Sequence, residues 1–450
     1  MKIYSTLTKN KETLEPIKDK KINLFVCGPT VYDYSHLGHA KTYTQFDFIV
    51  KYLRSRGFDV FYLQNITDID DKILNRAKET DVSWKELSQK YEAFYLEDMK
   101  NLHNSSVNKY ARATNYIDQI IGQVKRLIEK GFAYKINDGI YFEISKFPDY
   151  GKLSGRTNLK KDDSISRIDQ NNEKRGWNDF CLWKFSKPGE PSWKTDIGEG
   201  RPGWHIEDTA ITESNFGPQY DVHGGAIDLV IPHHEAEIAQ MEAASGLKPL
   251  VKYWMHTGFL NINNEKMSKS KGNFTTIRDA LERYDYRTLR FLFISNHYRS
   301  SLNLDEKILG QAKDTLNRID EFIFNIKNRD ANEDDEKSLN DLKKDIYKNI
   351  DDDFNTPGAL SSLFDFIRVQ NTRKKGGNKT LEFLKEINLF FDFMLFEAVP
   401  DNEVEVKIKK RDEYRNAGKF SEADKIRQEL EKAGVKIYDT DIGTTWRRQQ

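Results

Sequence analysis

Near the start of the chain, short continuous apolar runs flank a segment with helical periodicity. KINLFVCG, residues 21–28, has the length and apolar continuity of a buried strand. In TYTQFDFIVKYLRSRG, Phe46, Ile49, Val50 and Leu53 recur at helical spacing and form one apolar face, and FDVFYLQNIT returns to strand character. Gly57 sits where such a helix should stop. The pattern predicts a strand–helix–strand unit with parallel strands, and ligands of such sheets lie beyond the carboxyl ends of the strands. Here that end is Cys27 and Gly28.

Helical patterning continues to about residue 131, after which YKINDGIYFEI predicts a β-hairpin turning on Asn137, Asp138 and Gly139. The polar stretch 155–176 reads as insertion loops. Around WHIEDTAI and AIDLVIP the apolar alternation predicts strands, so the sheet is expected to resume after an insertion at 135–200. In an extended segment Trp204, Ile206 and Asp208 share one face, and His205 and Glu207 point away from it. Beyond about residue 285 the chain turns helical. NRDANEDDEKS at 328–338 marks a surface loop, and VPDNEVEVKIKKRDEYRNAGKF reads as a charged linker before a small C-terminal module.

With 450 residues the chain is too long for one ordinary core and should divide into about two to four domains. Hydrophobic content of 38% beside 32% charged residues argues against a disordered or membrane-spanning chain. The first residues lack the apolar core of a secretory signal, so a cytoplasmic location is expected. Two distant cysteines, Cys27 and Cys181, do not imply a disulfide framework, and Cys181 in DFCLWK reads as an ordinary buried residue. Net charge is zero, yet residues 201–245 hold one basic residue against eight acidic ones, whereas 246–329 hold fifteen basic against nine acidic. That asymmetry fits either differently solvated faces or a cation site beside a phosphate-facing segment.

Three motifs bear on that choice. HLGH, His36 to His39, follows the first strand and opens the first helix, where free N–H groups attract phosphate and two histidines three apart face one side. Alone, it also fits a polar helix start. KMSKS, Lys266 to Ser270, places Lys266 and Lys269 on a loop-like stretch where they can neutralise charge on a transferring phosphate. In PHHEAE, His233 and Glu237 are neighbours on one helix face, with His234 and Glu235 expected to point elsewhere. Such a pair is more often a surface hydrogen bond, but a thiolate at Cys27 would add a third donor of the kind zinc uses.

HLGH followed by KMSKS after a split sheet resembles the paired signature of class I aminoacyl-tRNA synthetases. The chain is similar to the cysteinyl-tRNA synthetase family over nearly its whole length, through FVCGPTVYDYSHLGHA, NITDIDDKI, GRPGWHIED, DVHGGAIDLVIPHHEAEIAQ, KMSKSKGNF, DDDFNTP and GTTWRR. The resemblance implies an α/β fold: a split Rossmann-like catalytic domain at 1–134 and 201–289, a connective insertion at 135–200, a stem-contact and helical bundle region at 290–401, and an anticodon-binding module at 402–450. It implies ATP-dependent formation of cysteinyl-adenylate and transfer of cysteine to tRNA(Cys), by a monomer with no membrane association.

It also implies one Zn2+ per chain that takes the substrate thiolate, held by Cys27, His233, Glu237 and a fourth position that falls on Asp208. The family commonly has cysteine at that position, and a carboxylate is a harder, less donating ligand. Asp208 could instead support a three-ligand site from outside it. Trp204 is expected to wall the cysteine pocket beside Asp208, with Gly28 and Thr67 completing it. ATP is placed between HLGH, including Gly38, and the HGGAID stretch, where Gly224 and Gly225 admit the nucleoside and Asp228 accepts a ribose hydroxyl; Ala226 stands where relatives often have a third glycine. His36, His39, Lys266 and Lys269 would stabilise the transition state, with Mg2+ accompanying the pyrophosphate. Serine differs from cysteine by one atom, so a thiol-selecting metal removes the need for an editing domain, for which the insertion is too small. Trp446, Arg447 and Arg448 fit stacking and pairing with unpaired RNA bases, or a tail. Two rival readings remain, a cysteine–amino sugar ligase on a related catalytic domain and a non-catalytic tRNA-binding paralogue.

Overall fold

A computed structural model describes residues 1–156, 171–263, 265–266, 275–328, 333–396, 402–440 and 443–448. Lys269 lies outside the described residues, as do the side chains of Lys266, Arg447 and Arg448. The chain divides into two compact units, one of residues 1–286, 296–304 and 351–354 and the other of 287–295, 305–350 and 355–450.

The first unit is built on a five-stranded parallel sheet in the order Val251–Thr257, Tyr220–Ala226, Lys21–Val26, Asp59–Ile66, Lys109–Arg112. Strand order therefore reverses at Lys21–Val26. The strand that follows it in sequence lies on one side and the late strand Tyr220–Ala226 on the other, which opens a crevice at their carboxyl ends. The Leu37–Ser55 helix crosses between the first two strands as its periodicity predicts, and Gly57 follows it with φ +87°. Phe25, Leu63, Ile120, Ile211, Ile238 and Trp254 belong to one continuous core.

The insertion carries the predicted hairpin, Ala133–Ile136 against Gly139–Phe142. Phe180–Phe185 and Gly200–Pro202 extend it to four antiparallel strands. Cys181 is buried there with Tyr134 and Tyr141.

Two expectations fail next. WHIEDTAI is not a strand: Ile206–Phe216 is a helix that starts after Trp204 and His205 and ends at Gly217, whose φ is +89°. AIDLVIP is not a strand either; after Ala226, Ile227–Leu229 forms a 3₁₀ turn and Val230–His234 a π turn that leads into the Glu235–Ser245 helix. The β-branched residues Ile206, Thr209, Ile211 and Thr212 suggest a strand, but they are buried around the whole helix.

In the second unit, Glu306–Lys327, Glu336–Ile350, Thr356–Arg373 and Asn378–Phe391 form helices. The buried Arg287 donates to both oxygens of the buried Asp320, a bidentate pairing that fixes Arg287 against the Glu306–Lys327 helix. The supposed charged linker is largely a helix, Asn402–Asn416, followed by Phe420–Lys432 and an antiparallel hairpin, Val435–Thr440 with Gly443–Arg448. Among the described residues no helix is long and apolar enough to cross a membrane.

Candidate active site

Cys27 directly follows the strand Lys21–Val26 and lines a cavity of about 370 Å³ whose wall also includes Gly28, His36, His39, Trp204 and Asp228. Around the Cys27 sulfur the helices that follow the sheet deliver donors. Asp208 Oδ2 lies 3.4 Å from it and Glu237 Oε1 3.9 Å from it. His233 Nε2 is 2.9 Å from Asp208 Oδ2 and 3.1 Å from Glu237 Oε1. Donor atoms of Cys27, Asp208, His233 and Glu237 all lie within 4.8 Å of one another, and all four residues are buried. Zinc bonds of about 2.0–2.3 Å give tetrahedral edges of about 3.3–3.7 Å, so these donors fit one ion with little movement.

Electrostatics point the same way. Burial pushes the Cys27 thiol well above its ordinary range, and Glu237 and Asp208 push it further. Glu237 is raised by burial, then by Asp208 and Glu207; Glu207 is raised by burial and by Asp208. A divalent cation would relieve this mutual repulsion. Asp208 Oδ1 is buried and has no hydrogen-bond partner among the described residues, as expected of a carboxylate shaped for a ligand.

Imidazoles surround the cluster. His233 Nδ1 is 2.8 Å from His205 Nδ1, so His205 turns toward the site and does not face away as the strand reading had it. Glu207 also turns inward and accepts a hydrogen bond from Thr67. His234 Nε2 lies 3.2 Å from Cys27 Sγ, a correction to its expected outward direction, while Glu235 does point elsewhere, to Gly151 and Ser154. His223 Nε2 approaches the same sulfur at 3.4 Å, with its Nδ1 2.6 Å from the Tyr220 hydroxyl. His234 Nδ1 is held by His256 Nε2 at 2.8 Å, and His256 Nδ1 by Thr6 Oγ1 at 2.7 Å. His223, His233 and His234 are thus each oriented through both ring nitrogens. Burial holds His205, His223 and His234 well below the usual imidazole range and pulls His256 down to about 3.

At the cavity mouth, His36 caps the Leu37–Ser55 helix: its Nδ1 accepts from the backbone N–H of Gly38 at 3.1 Å and of His39 at 3.4 Å. His39 Nδ1 accepts from His36 N at 3.4 Å, and the two rings stack at 3.9 Å. The backbone after KMSKS is tied to this segment, Leu37 N donating to Thr275 O and Ile277 N to Ser35 O.

Comparison with known proteins gives the family. The model of the class I (C) tRNA synthetase catalytic domain matches residues 13–314, and that of the DALR domain matches 345–392. Cysteine–tRNA ligase of Thermococcus onnurineus is 43% identical over all of this chain and 99% of its own length. That of Carboxydothermus hydrogenoformans is 42% identical over the whole of both chains. The chain belongs to the cysteine–tRNA ligase family. Among solved structures, Mycobacterium tuberculosis methionyl-tRNA synthetase in complex with methionyl-adenylate shares the fold at TM-score 0.62 and 14% identity, covering 82% of this chain and 88% of its own. A leucyl synthetase–tRNA complex from Agrobacterium radiobacter K84 aligns at TM-score 0.62 and 10% identity, covering 84% and 83%.

Within this cysteine–tRNA ligase the other expected site residues are distributed unevenly. Trp204 stacks on His233 with centroids 4.3 Å apart and remains 39% exposed, so it forms cavity wall directly over the donor cluster. Thr67 is buried and is not among the residues that line the cavity; it donates to Glu207. Gly224 and Gly225 lie within the sheet: a Cβ on Gly224 would stand 2.3 Å from the Phe46 ring and one on Gly225 2.8 Å from His234. Ala226 and Asp228, not those glycines, line the cavity. Lys266 begins the KMSKS motif at the end of a two-residue strand, Glu265–Lys266. In the second unit Trp446 packs against the cluster of Val404, Ile408, Leu430, Val435 and Ile437, so GTTWRR is a strand and not a tail.

Gly28 supplies a first prediction. Its N–H donates to Asn65 Oδ1 at 2.5 Å, and a Cβ there would come within 1.8 Å of the Asn65 carbonyl oxygen. Backbone cannot yield as a side chain does, so Gly28→Ala is expected to destabilise the ligase by about 1–3 kcal/mol. Thermal unfolding of the variant checks this.

Proposed function

We propose that the enzyme charges tRNA(Cys) with L-cysteine in two steps, through cysteinyl-adenylate, and selects its substrate by the thiol. The observation that carries this reading is the convergence of Cys27, Asp208, His233 and Glu237 at the floor of the cavity whose mouth holds His36 and His39. A zinc ion held by those four side chains would act as a Lewis acid toward a thiolate and so favour cysteine over serine and alanine. Gly28 and Trp204 shape the space above the donors, and Thr67 steadies Glu207 behind them.

The substrate carboxylate then attacks the α-phosphate of ATP, and pyrophosphate leaves with Mg2+. His36 and His39 donate hydrogen bonds to the charge that develops, with Lys266 and Lys269 approaching from the KMSKS side. Gly38 lets the nucleotide approach the helix start, Asp228 faces the ribose, and Gly224 and Gly225 let Phe46 and His234 pack beneath it. No protein nucleophile is required. Residues 290–401 and 402–450 are assigned to the tRNA stem and anticodon, with Trp446, Arg447 and Arg448 in the latter, and residues 1–134 and 201–289, interrupted at 135–200, to the catalytic domain. The active form is assigned as a monomer, for which light scattering is the check.

Cysteine-dependent ATP–pyrophosphate exchange, followed by charging of tRNA(Cys) and of a glucosaminyl acceptor, tests the whole. Exchange with transfer to tRNA alone is expected. Transfer to the sugar would move the reading to the amino sugar ligase, and absence of exchange with zinc supplied would leave only an RNA-binding protein.

A further inference from the structure

We infer that the metal position is tuned toward harder divalent ions, so that Co2+, Fe2+ and Mn2+ compete with Zn2+ there, and that Asp208 sets this tuning by presenting both carboxylate oxygens. The inference rests on the metal reading above and concerns which ion the site accepts.

The donor set is one thiolate, one imidazole and two carboxylates. Thiolates favour soft ions, imidazole suits zinc, iron and other late metals, and carboxylates suit manganese and magnesium; the general order of affinity still places zinc above cobalt, iron and manganese. Exchanging a thiolate for a carboxylate therefore narrows the gap between ions without inverting it. The geometry of Asp208 goes further. Its Oδ2 is engaged 2.9 Å from His233 Nε2 and 3.4 Å from Cys27 Sγ, whereas Oδ1 is buried without a hydrogen-bond partner among the described residues, in a residue 1% exposed. A carboxylate that used one oxygen as ligand would ordinarily hand the other to a donor. Left unpartnered beside the cluster, Oδ1 can join Oδ2 on one ion and raise the coordination number above the four of a closed zinc site.

A second donor set, Cys27, His223, His234 and Glu237, also lies within 4.8 Å. There both histidines already contact the Cys27 sulfur, at 3.4 and 3.2 Å, and each is fixed from behind by Tyr220 or His256. Among the described residues that set leaves no buried polar atom without a partner, so the Asp208 side is the one shaped by a missing partner.

The test uses the full-length chain, freed of metal by a chelator and titrated with Zn2+, Co2+ and Mn2+ against a chromophoric competitor, beside Asp208→Cys. The zinc-to-cobalt affinity ratio of the wild type is expected to be smaller by about tenfold or more than that of the variant. The sulfur-to-cobalt absorption of the variant should rise about twofold as the second thiolate joins. Ratios that agree within about twofold overturn the inference, and place any ion on the histidine set, which the substitution does not touch. Should the variant fail to fold, the wild type decides alone: Mn2+ bound one per chain and displaced by zinc supports the inference, and zinc held without measurable Mn2+ or Co2+ binding overturns it. A wild type that retains no ion at all overturns the metal reading and this inference together.

Discussion

Cys27→Ala is expected to release the metal and to lower kcat/KM for cysteine activation by about 10³-fold. Loss of a partner that merely orients a ligand costs about 10–100-fold, and a site built around one substrate group rejects analogues by about 10⁴–10⁵, so removal of the central donor should fall between these. The sulfur sits at the point shared by both donor sets, within 3.9 Å of Asp208, His223, His234 and Glu237. The backbone there is held independently, Cys27 N donating to Gly224 O, so the fold has reason to survive the truncation. Cysteine should lose its advantage over serine in the exchange assay, because both would then be read by shape alone. Cys181→Ala is the control, since that thiol is buried with Tyr134 and Tyr141 and belongs to neither donor set. Metal content by mass spectrometry and exchange kinetics check the pair. Undiminished metal and cysteine selectivity in Cys27→Ala would remove the basis of thiol selection by this site.

What the sequence shows of this site follows from the range of the contacts involved. His233 and Glu237 are four residues apart along the chain, and Cys27 directly follows the largely apolar strand Lys21–Val26, so local pattern places all three. Strand, helix and strand at the start are legible for the same reason. The Ile206–Phe216 helix is not, because it is packed between the Ile117–Glu129 and Glu235–Ser245 helices and has no polar face to register as a period. Two local signals remained, the acidic pair Glu207 and Asp208 in its first turn and Gly217 at its end. Read as a helix start, GWHIED places His205 at the cap and makes its turn toward His233 intelligible. His223 lies in the strand beside that of Cys27 and His256 in the next strand, at the sheet edge; both strands are largely buried, so neighbours carry no alternation, and only the parallel pairing of the strands brings His223 to Cys27 and His256 to His234 behind it. Gly224 and Gly225 carry a contact that their place beside a nucleotide motif does not suggest, the close approach of Phe46 and His234.

Truncating the cavity mouth should produce a different kinetic signature. Both His36 and His39 use Nδ1 as an acceptor from backbone N–H groups, which leaves the ring proton on Nε2 in each. Burial, with His36 and Lys72 beside it, holds His39 well below the ordinary imidazole range, so it acts as a neutral donor. Neutral, preorganised donors aimed at developing charge are worth about 10²–10³ in rate each. His39→Ala is therefore expected to reduce kcat for adenylate formation by about that factor while leaving KM for cysteine and metal content near the wild-type values. The pH dependence separates a neutral donor from an imidazolium. With its pKa depressed, His39 is uncharged on both sides of pH 6.5, so the wild-type rate constant should not fall as pH rises from 6 to 8. Single-turnover exchange measured across that interval, in wild type and His39→Ala, is the check. A rate that declines as pH rises through 6.5 in the wild type alone would make His39 a cation in the transition state and overturn the donor assignment.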